Sequence, residues 1–427
     1  MICRRTTYFA TFARLGIYET TSSKKVPTIR RTIQLSGMVQ SACTRGLISV
    51  TVCEMSPIRQ LLRGIILTML SAIMCGQDAL GEPCRVTIGL ILPLTGNASS
   101  YGERALKGAE VAKASMRGRC EVSLVTSDSK FESAPGVAAY RSLVLSNLLD
   151  GVVTASSQVS IPIREMASRD RIIQLAIFTA ANSYSKLNGT SFRISSRSRD
   201  EVVPLVELVS RASNPKVGAL VLANDFGEAI SSDFKTQLEE QGFRLSASER
   251  ILPSSSDFRG EILRLKKAGI THLLMIGLPF QYVTLLRTAG EMQFNPQILS
   301  ARNIEDPAVL RLGLPSGRVV YSYTFDEHSK DPYVASFVSL YRTMHGISPD
   351  AYAAEAYEAI HLLAQAAVLC GRDAACRIRV LRNQVFSSVF GQIRFDISGD
   401  TSYPLFMKTV DGSSFTRLVT TSPKTTE

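Results

Sequence analysis

"RVTIGLILPLTGNASSYGERALKGAEVA", residues 85–112, changes its pattern twice. An apolar burst stops at Pro93, a turn rich in Pro, Gly and Ser follows, and an Ala-rich stretch with helical character takes over. A strand that ends in such a loop and opens a helix is the unit of a doubly wound sheet. In such sheets ligands bind beyond the carboxyl ends of the strands. The loop "PLTGNASSYG" is therefore expected to help hold something.

The same alternation continues down the chain. Strand-like runs are "RVTIGLIL", "EVSLVTSD", "LDGVVT", "RIIQLAIF", "VGALVLAN", "THLLMIGL", "PQILSA" and "VVYSYTF". Helical stretches lie at 101–117, 134–149, 161–169, 202–213, 229–241, 257–267, 281–292 and 332–345. Short apolar runs followed by amphipathic helices predict parallel sheets covered on both faces. There are too many such units for one ordinary sheet, so two α/β domains are expected.

Composition narrows the function. The chain has 427 residues, 45% hydrophobic and 20% charged, as in an ordinary globular protein. Its net charge of +11 is concentrated early: residues 1–81 hold ten Lys/Arg against three Asp/Glu, and the remainder holds 38 against 34. No basic run is interleaved with aromatics, which argues against nucleic-acid binding.

The basic start reads instead as an export signal. "MSPIRQLLRGIILTMLSAIMCGQDALGEP" begins at Met55 with two arginines, carries an apolar stretch over 64–74, and reaches a small-x-small site at Ala79-Leu80-Gly81. The stretch is too short to span a bilayer comfortably. Residues 55–81 are read as a signal peptide and 1–54 as an upstream extension outside the fold. Lipid attachment at Cys75 is disfavoured because Met74 precedes it, where such signals carry a small residue.

Cysteine usage agrees with export. Cys84 and Cys120 start the first two strands, so parallel neighbours would place them at one sheet end; Cys370 and Cys376 bracket the turn "GRDAA". Two disulfides are expected. Metal binding is not, because the spacings are wrong for zinc and the histidines do not cluster. No Gly-x-Ser-x-Gly elbow is present, and an exported hydrolase is the weaker reading. No cofactor is implied.

Five segments, in order and in register, carry a family resemblance. "IGLILPLTGNASSYGERALKGAEVA" resembles the start of the periplasmic Leu/Ile/Val-binding proteins, the substrate receptors of branched-chain amino-acid-type ABC transporters. "LANDFGEAISSDFKTQLEEQGF", "SDFRGEILRLKKAGITHLLMIG", "AYAAEAYEAIHLLAQA" and "FGQIRFDISGD" are similar to that family's later elements. The resemblance implies two Rossmann-like lobes joined by three hinge crossings, the type I periplasmic binding fold. Lobe one takes 84–199 and 326–388, and lobe two takes 203–322 and 391–427. It also implies a periplasmic monomer that closes on a small ligand and presents it to a membrane permease.

The resemblance places the ligand contacts too. The family's carboxylate-holding hydroxyl falls in "TASSQVS", at Ser157 counted forward or Ser160 counted back. Its next backbone and hydroxyl contacts fall at Ala181 and Ser183. A family tyrosine becomes Phe226, the next aromatic aligns with Leu278, and Tyr101 and Tyr352 match aromatics at the mouth and floor. The acidic residue that meets the ligand's ammonium aligns with Arg302. An arginine there repels an ammonium and favours an anionic or carbonyl group. If it is buried without a partner, the ligand must supply the countercharge. With Glu305 three residues on, a shifted alignment restores an acid. Two ligands stay open: a small non-amino-acid carboxylate, or a branched-chain or related amino acid. An envelope sensor or regulator on the same fold is the remaining reading.

Overall fold

A computed structural model describes residues 84–185, 187 and 189–418, together with four short strands between Arg4 and Val52. Those strands form two antiparallel pairs, Arg4–Thr6 with Val50–Val52 and Ile17–Thr20 with Arg30–Ile33. Residues 1–82 and 83–427 make separate compact units. The expected signal peptide at 55–81, with Cys75, lies outside the described residues. No helix among the described residues is long and apolar enough to cross a membrane.

The larger unit is built on two sheets. The first uses β1 (Arg85–Leu92), β2 (Glu121–Asp128), β3 (Gly151–Ala155), β4 (Ile173–Ile177) and β5 (Ser191–Arg193). Their order is β2-β1-β3-β4-β5, all parallel. Helices α1 (Ser99–Ser115), α2 (Ser133–Ser146) and α3 (Ser157–Asp170) connect them. The central strands β3 and β4 are buried at every position, which is why they read as continuous apolar runs.

The second sheet follows helix α4 (Ser198–Ser210). It uses β6 (Val217–Leu222), β7 (Leu245–Ile251), β8 (His272–Ile276), β9 (Gln297–Ser300) and β10 (Val319–Tyr323), with helices α5 (Asp225–Glu240), α6 (Arg259–Lys267), α7 (Pro279–Glu291) and α8 (Pro307–Leu310) between them. The chain then returns to lobe one as α9 (Pro332–His345), α10 (Ala351–Cys370) and α11 (Ala374–Asn383), and a short hairpin, β11 (Phe386–Ser388) and β12 (Gly391–Ile393), follows. It crosses back to end as β13 (Phe406–Asp411) and β14 (Ser414–Arg417), which add an antiparallel edge beside β10. The sheet order is β7-β6-β8-β9-β10-β13-β14. Two α/β lobes with three crossings are thus present, as the resemblance implied.

Helix α10 is buried along nearly its whole length because it packs on α1 and on the sheet beneath. Contact with α1 depends on Gly108: a Cβ there would sit 2.0 Å from the Ala353 carbonyl oxygen. Gly108→Val must push the two helices apart. It is expected to cost on the order of 1–3 kcal/mol or more, read as a lowered urea midpoint with an unchanged m-value.

Both disulfides form, Cys84–Cys120 with Cα atoms 4.6 Å apart and Cys370–Cys376 with Cα atoms 5.6 Å apart. The first joins the starts of β1 and β2, which are parallel neighbours.

One buried acid makes the fold pH-sensitive. Glu358, on α10, accepts from the Val389 N–H at 3.1 Å, while its Oε1 has no partner among the described residues. Burial outweighs the help of Val389 and Tyr333 and pushes its carboxyl up to about 8, from an ordinary 4.5. A value raised on folding gives stability that is present below about pH 4.5 and lost as pH rises through about 8. Glu358→Gln is expected to flatten the stability profile across that interval. Denaturant midpoints measured across it check this, and an unchanged slope would refute it.

Candidate functional site

The segment after β1 meets the one after β9 through Tyr101 and Asn303, and the segment after β4 meets the helix after β6 through Asn182 and Asp233. The quoted opening loop is pinned first. Asp128, at the end of β2, accepts from Leu94 N and Thr95 N at 2.8 and 3.4 Å and from Thr95 Oγ1 at 2.5 Å. Burial raises its carboxyl pKa, but these hydrogen bonds and one from Lys130 N outweigh that and hold it below the usual range. Gly102 then lets α1 turn back onto the loop, since a Cβ there would lie 2.0 Å from the Pro93 carbonyl. That close approach sets Tyr101.

Tyr101 stacks on Tyr352, ring centroids 4.5 Å apart, and the edge of Phe178 meets Tyr352 at 4.6 Å. The Tyr101 hydroxyl donates across the cleft to the Asn303 carbonyl at 3.0 Å. One turn on, Arg104 ion-pairs with Asp306 of lobe two at 2.8 Å and Asp350 of lobe one at 2.9 Å. The opening loop therefore holds the other lobe as well as lining the cleft.

The two serine candidates separate cleanly. Ser157 Oγ accepts from Ala181 N at 3.2 Å, so these two expected contacts do come together. Ser160 Oγ accepts from Thr154 and Thr179 hydroxyls at 2.8 and 2.9 Å and donates to the Thr154 carbonyl. Its hydroxyl is used up inside lobe one. Ser183 is exposed on the short 3-10 turn Asn182–Tyr184, where its carbonyl accepts from Arg164 at 2.8 Å. Its neighbour Asn182 donates to Asp233 on α5. This turn lies at a lobe–lobe contact.

A residue the sequence reading passed over sits beside Ser157. Ser156 holds a left-handed φ of 81° just before α3, is buried, and leaves its hydroxyl without a partner among the described residues. It makes no side-chain cap, so the start of α3 is uncapped. A non-glycine residue at positive φ on a strand end was the signal, and sequence alone does not display φ.

In lobe two, Phe226 is half-buried near the start of α5 and packs on that lobe's core. Leu278 is buried at the start of α7, and its N–H donates to Gln281 Oε1 at 3.0 Å. Glu305 accepts from Lys408 Nζ and from the Tyr321 hydroxyl, both at 2.8 Å. Its carboxylate is held by lobe two's own sheet, so Glu305 is engaged away from Arg302 and does not restore an acid at that position.

Arg302 is 4% exposed. Its Nη1 lies 2.5 Å from Glu355 Oε1 on α10, 3.4 Å from Ser196 Oγ and 3.8 Å from Glu201 Oε1. Glu355 Oε2 in turn accepts from Phe178 N at 2.8 Å and Ser195 Oγ at 2.7 Å. Burial alone would lower the arginine's pKa, but the Glu355 and Glu201 carboxylates more than reverse this and keep it charged. Glu201 moves up, because burial outweighs Arg302 and Ser196. The expectation that the ligand must supply Arg302's countercharge is overturned: Glu355 supplies it. All the hydrogen bonds of Arg302 among the described residues use Nη1. Among the described residues Glu201 Oε2 in this cluster, Asn303 Oδ1 next to Arg302 in the chain, and Ser156 Oγ are buried without a partner.

Two α/β lobes that meet at their strand ends over such a polar, aromatic-walled cleft define a bilobal ligand-binding protein. The family model for periplasmic binding proteins matches residues 85–412, and the chain belongs to that family. Leu/Ile/Val-binding protein homolog 2 of Brucella abortus is 23% identical over 341 residues, covering 77% of this chain and 91% of that protein. The fold is also that of the branched-chain amino-acid transporter substrate-binding protein LivJ from Streptococcus pneumoniae, solved with isoleucine (TM-score 0.71, 19% identity, 78% of this chain and 97% of that one). A Rhodopseudomonas palustris ABC-transporter solute-binding protein, solved with benzoate, is equally similar (TM-score 0.72, 16% identity, 78% and 95%).

Proposed function

We propose that the protein is an exported solute receptor that closes its lobes on a small carboxylate-bearing ligand and delivers it to the permease of an ABC transporter. It acts as a monomer, without catalysis or a cofactor. The observation that carries this reading is the buried, uncapped start of α3, with the unpartnered Ser156 hydroxyl and the Ser157–Ala181 contact beside it. Amide N–H groups and the helix dipole at such a terminus favour a carboxylate. Arg302 is linked to the same place, because Ser156 N donates to the Ile177 carbonyl at 3.0 Å and the next residue, Phe178, donates to Glu355.

Since Arg302 already has Glu355, a monocarboxylate suffices. The isoleucine and benzoate seen in the two structural relatives each carry one carboxylate. Native mass spectrometry of protein purified without denaturation should find a small acid bound. Calorimetry should then show benzoate-type acids or branched-chain amino acids binding, with affinity reduced by Ser156→Ala and Ser157→Ala. Failure of every small acid to bind would overturn the proposal.

A second reading, an envelope sensor or regulator, is favoured by the direct lobe–lobe contacts Tyr101–Asn303, Arg104–Asp306 and Arg302–Glu355. It requires a cleft that stays closed on itself. Small-angle scattering that changes when an acid is added would exclude it.

A further inference from the structure

The pole of lobe one farthest from the cleft combines exposed leucines with cations. Cys84 and Cys120 start β1 and β2 there, and Lys113, Arg117 and Arg119 line a depression around that disulfide. All three cations are exposed. Nearby, Leu145 and Leu148, at and just past the end of α2, are 87% and 94% exposed. Val368 and Leu369, in the last turn of α10, are 41% and 60% exposed. These pieces belong to one surface. Asp150, two residues after Leu148, accepts from Thr87 N at the start of β1 and from Arg377 Nη1; Arg377 Nε in turn donates to the Gly371 carbonyl, just past Leu369. Three acids of this pole are already engaged, Glu121 with Arg85, Asp150 with Arg377, and Asp373 as the cap of α11, while Glu110, one turn before Lys113, is exposed. Lys113, Arg117 and Arg372 appear in no ion pair among the described residues.

Leucines this exposed, set among unpaired cations, are costly in water and have the chemistry of an interfacial anchor. We infer that this pole docks on a bilayer surface containing anionic phospholipid, the leucines entering the headgroup boundary and the cations pairing with phosphates. A second copy of the chain is a poorer occupant, since a two-fold contact would set the same cations against one another.

Vesicle flotation tests this with the chain from Glu82 onward, the form left after export, so that the apolar residues 64–74 contribute no binding of their own. Vesicles of phosphatidylcholine alone are compared with equal parts phosphatidylcholine and phosphatidylglycerol, at low and high salt. Stronger binding to the anionic vesicles, lost at high salt, is expected. Lys113→Glu, Arg117→Glu and Arg119→Glu together should reduce that binding about tenfold or more. Leu148→Ser with Leu369→Ser should reduce it on both vesicle types, and neither set should change the melting temperature. Equal binding to the two vesicle types, or binding indifferent to both sets of changes, overturns the inference. So does a dimer in sedimentation velocity that the leucine changes dissolve.

Discussion

Arg302→Ala is expected to cost roughly 3–5 kcal/mol of stability, because it strips one partner from a buried ion pair and leaves the other in place. Glu355 Oε1 would lose its 2.5 Å contact and Glu201 its nearest cation. Glu355 also holds Phe178 N and Ser195 Oγ, so the loss reaches the lobe-one loop and the first crossing. The pH dependence follows from Glu201. Its carboxyl is raised by burial even with Arg302 beside it, so its contribution is present below the unfolded carboxylate range and lost as pH rises. Without the arginine it is raised further, and the deficit of Arg302→Ala should be largest at neutral pH and shrink in mild acid. Arg302→Met combined with Glu355→Gln should recover much of the loss, since no lone charge is left buried. Urea unfolding at neutral and mildly acidic pH decides the matter. A loss below about 1 kcal/mol would mean that the pair is effectively solvated.

Arg193→Ala should be comparably damaging, again on the order of 3–5 kcal/mol. Its side chain is fully buried between β5 and the third crossing. Nε and Nη2 reach the two Asp400 oxygens at 2.9 and 2.8 Å, while Nη1 donates to the carbonyls of Ala181 and Thr179 at 2.9 and 3.3 Å. Ser185 Oγ completes the shell of Asp400 at 2.5 Å. Arg193→Lys should not rescue it, because one ammonium cannot reproduce a fork that serves two carboxylate oxygens and two carbonyls. Asp400→Asn should lie between wild type and Arg193→Ala, since the amide keeps an acceptor and loses the charge. Because the proposed site includes Ala181, ligand affinity should fall with stability in Arg193→Ala. Calorimetry beside the unfolding series separates the two effects. Unchanged affinity in a destabilised variant would show that the hinge ion pair does not position the Ala181 loop.

Local sequence carried a great deal here. The apolar runs of β1, β3, β4, β6 and β8 are visible because strands buried on both faces need no polar alternation. The Pro93–Gly102 loop is visible because turn residues punctuate them. The cysteine pairs could be read because each lies next to an element whose partner is its neighbour in chain order. What escaped was set by exposure and distance. Edge strand β7, "LSASERI", alternates polar and apolar residues along the rim and lacks an apolar run. Strands β13 and β14 join the second sheet only after the third crossing. Choosing between Ser157 and Ser160 required knowing which hydroxyl points into Thr154 and Thr179. The partners of Arg302 lie about a hundred residues upstream, at Glu201, and on the other lobe, at Glu355. Periodicity is a local property that follows from backbone geometry, so the sequence by itself determined the alternating elements and the presence of more than one α/β sheet, while their sorting into two lobes came with the family resemblance. The charge state and reach of a buried side chain depend on which groups surround it, so only the tertiary structure decided that Arg302 enters the cleft already paired.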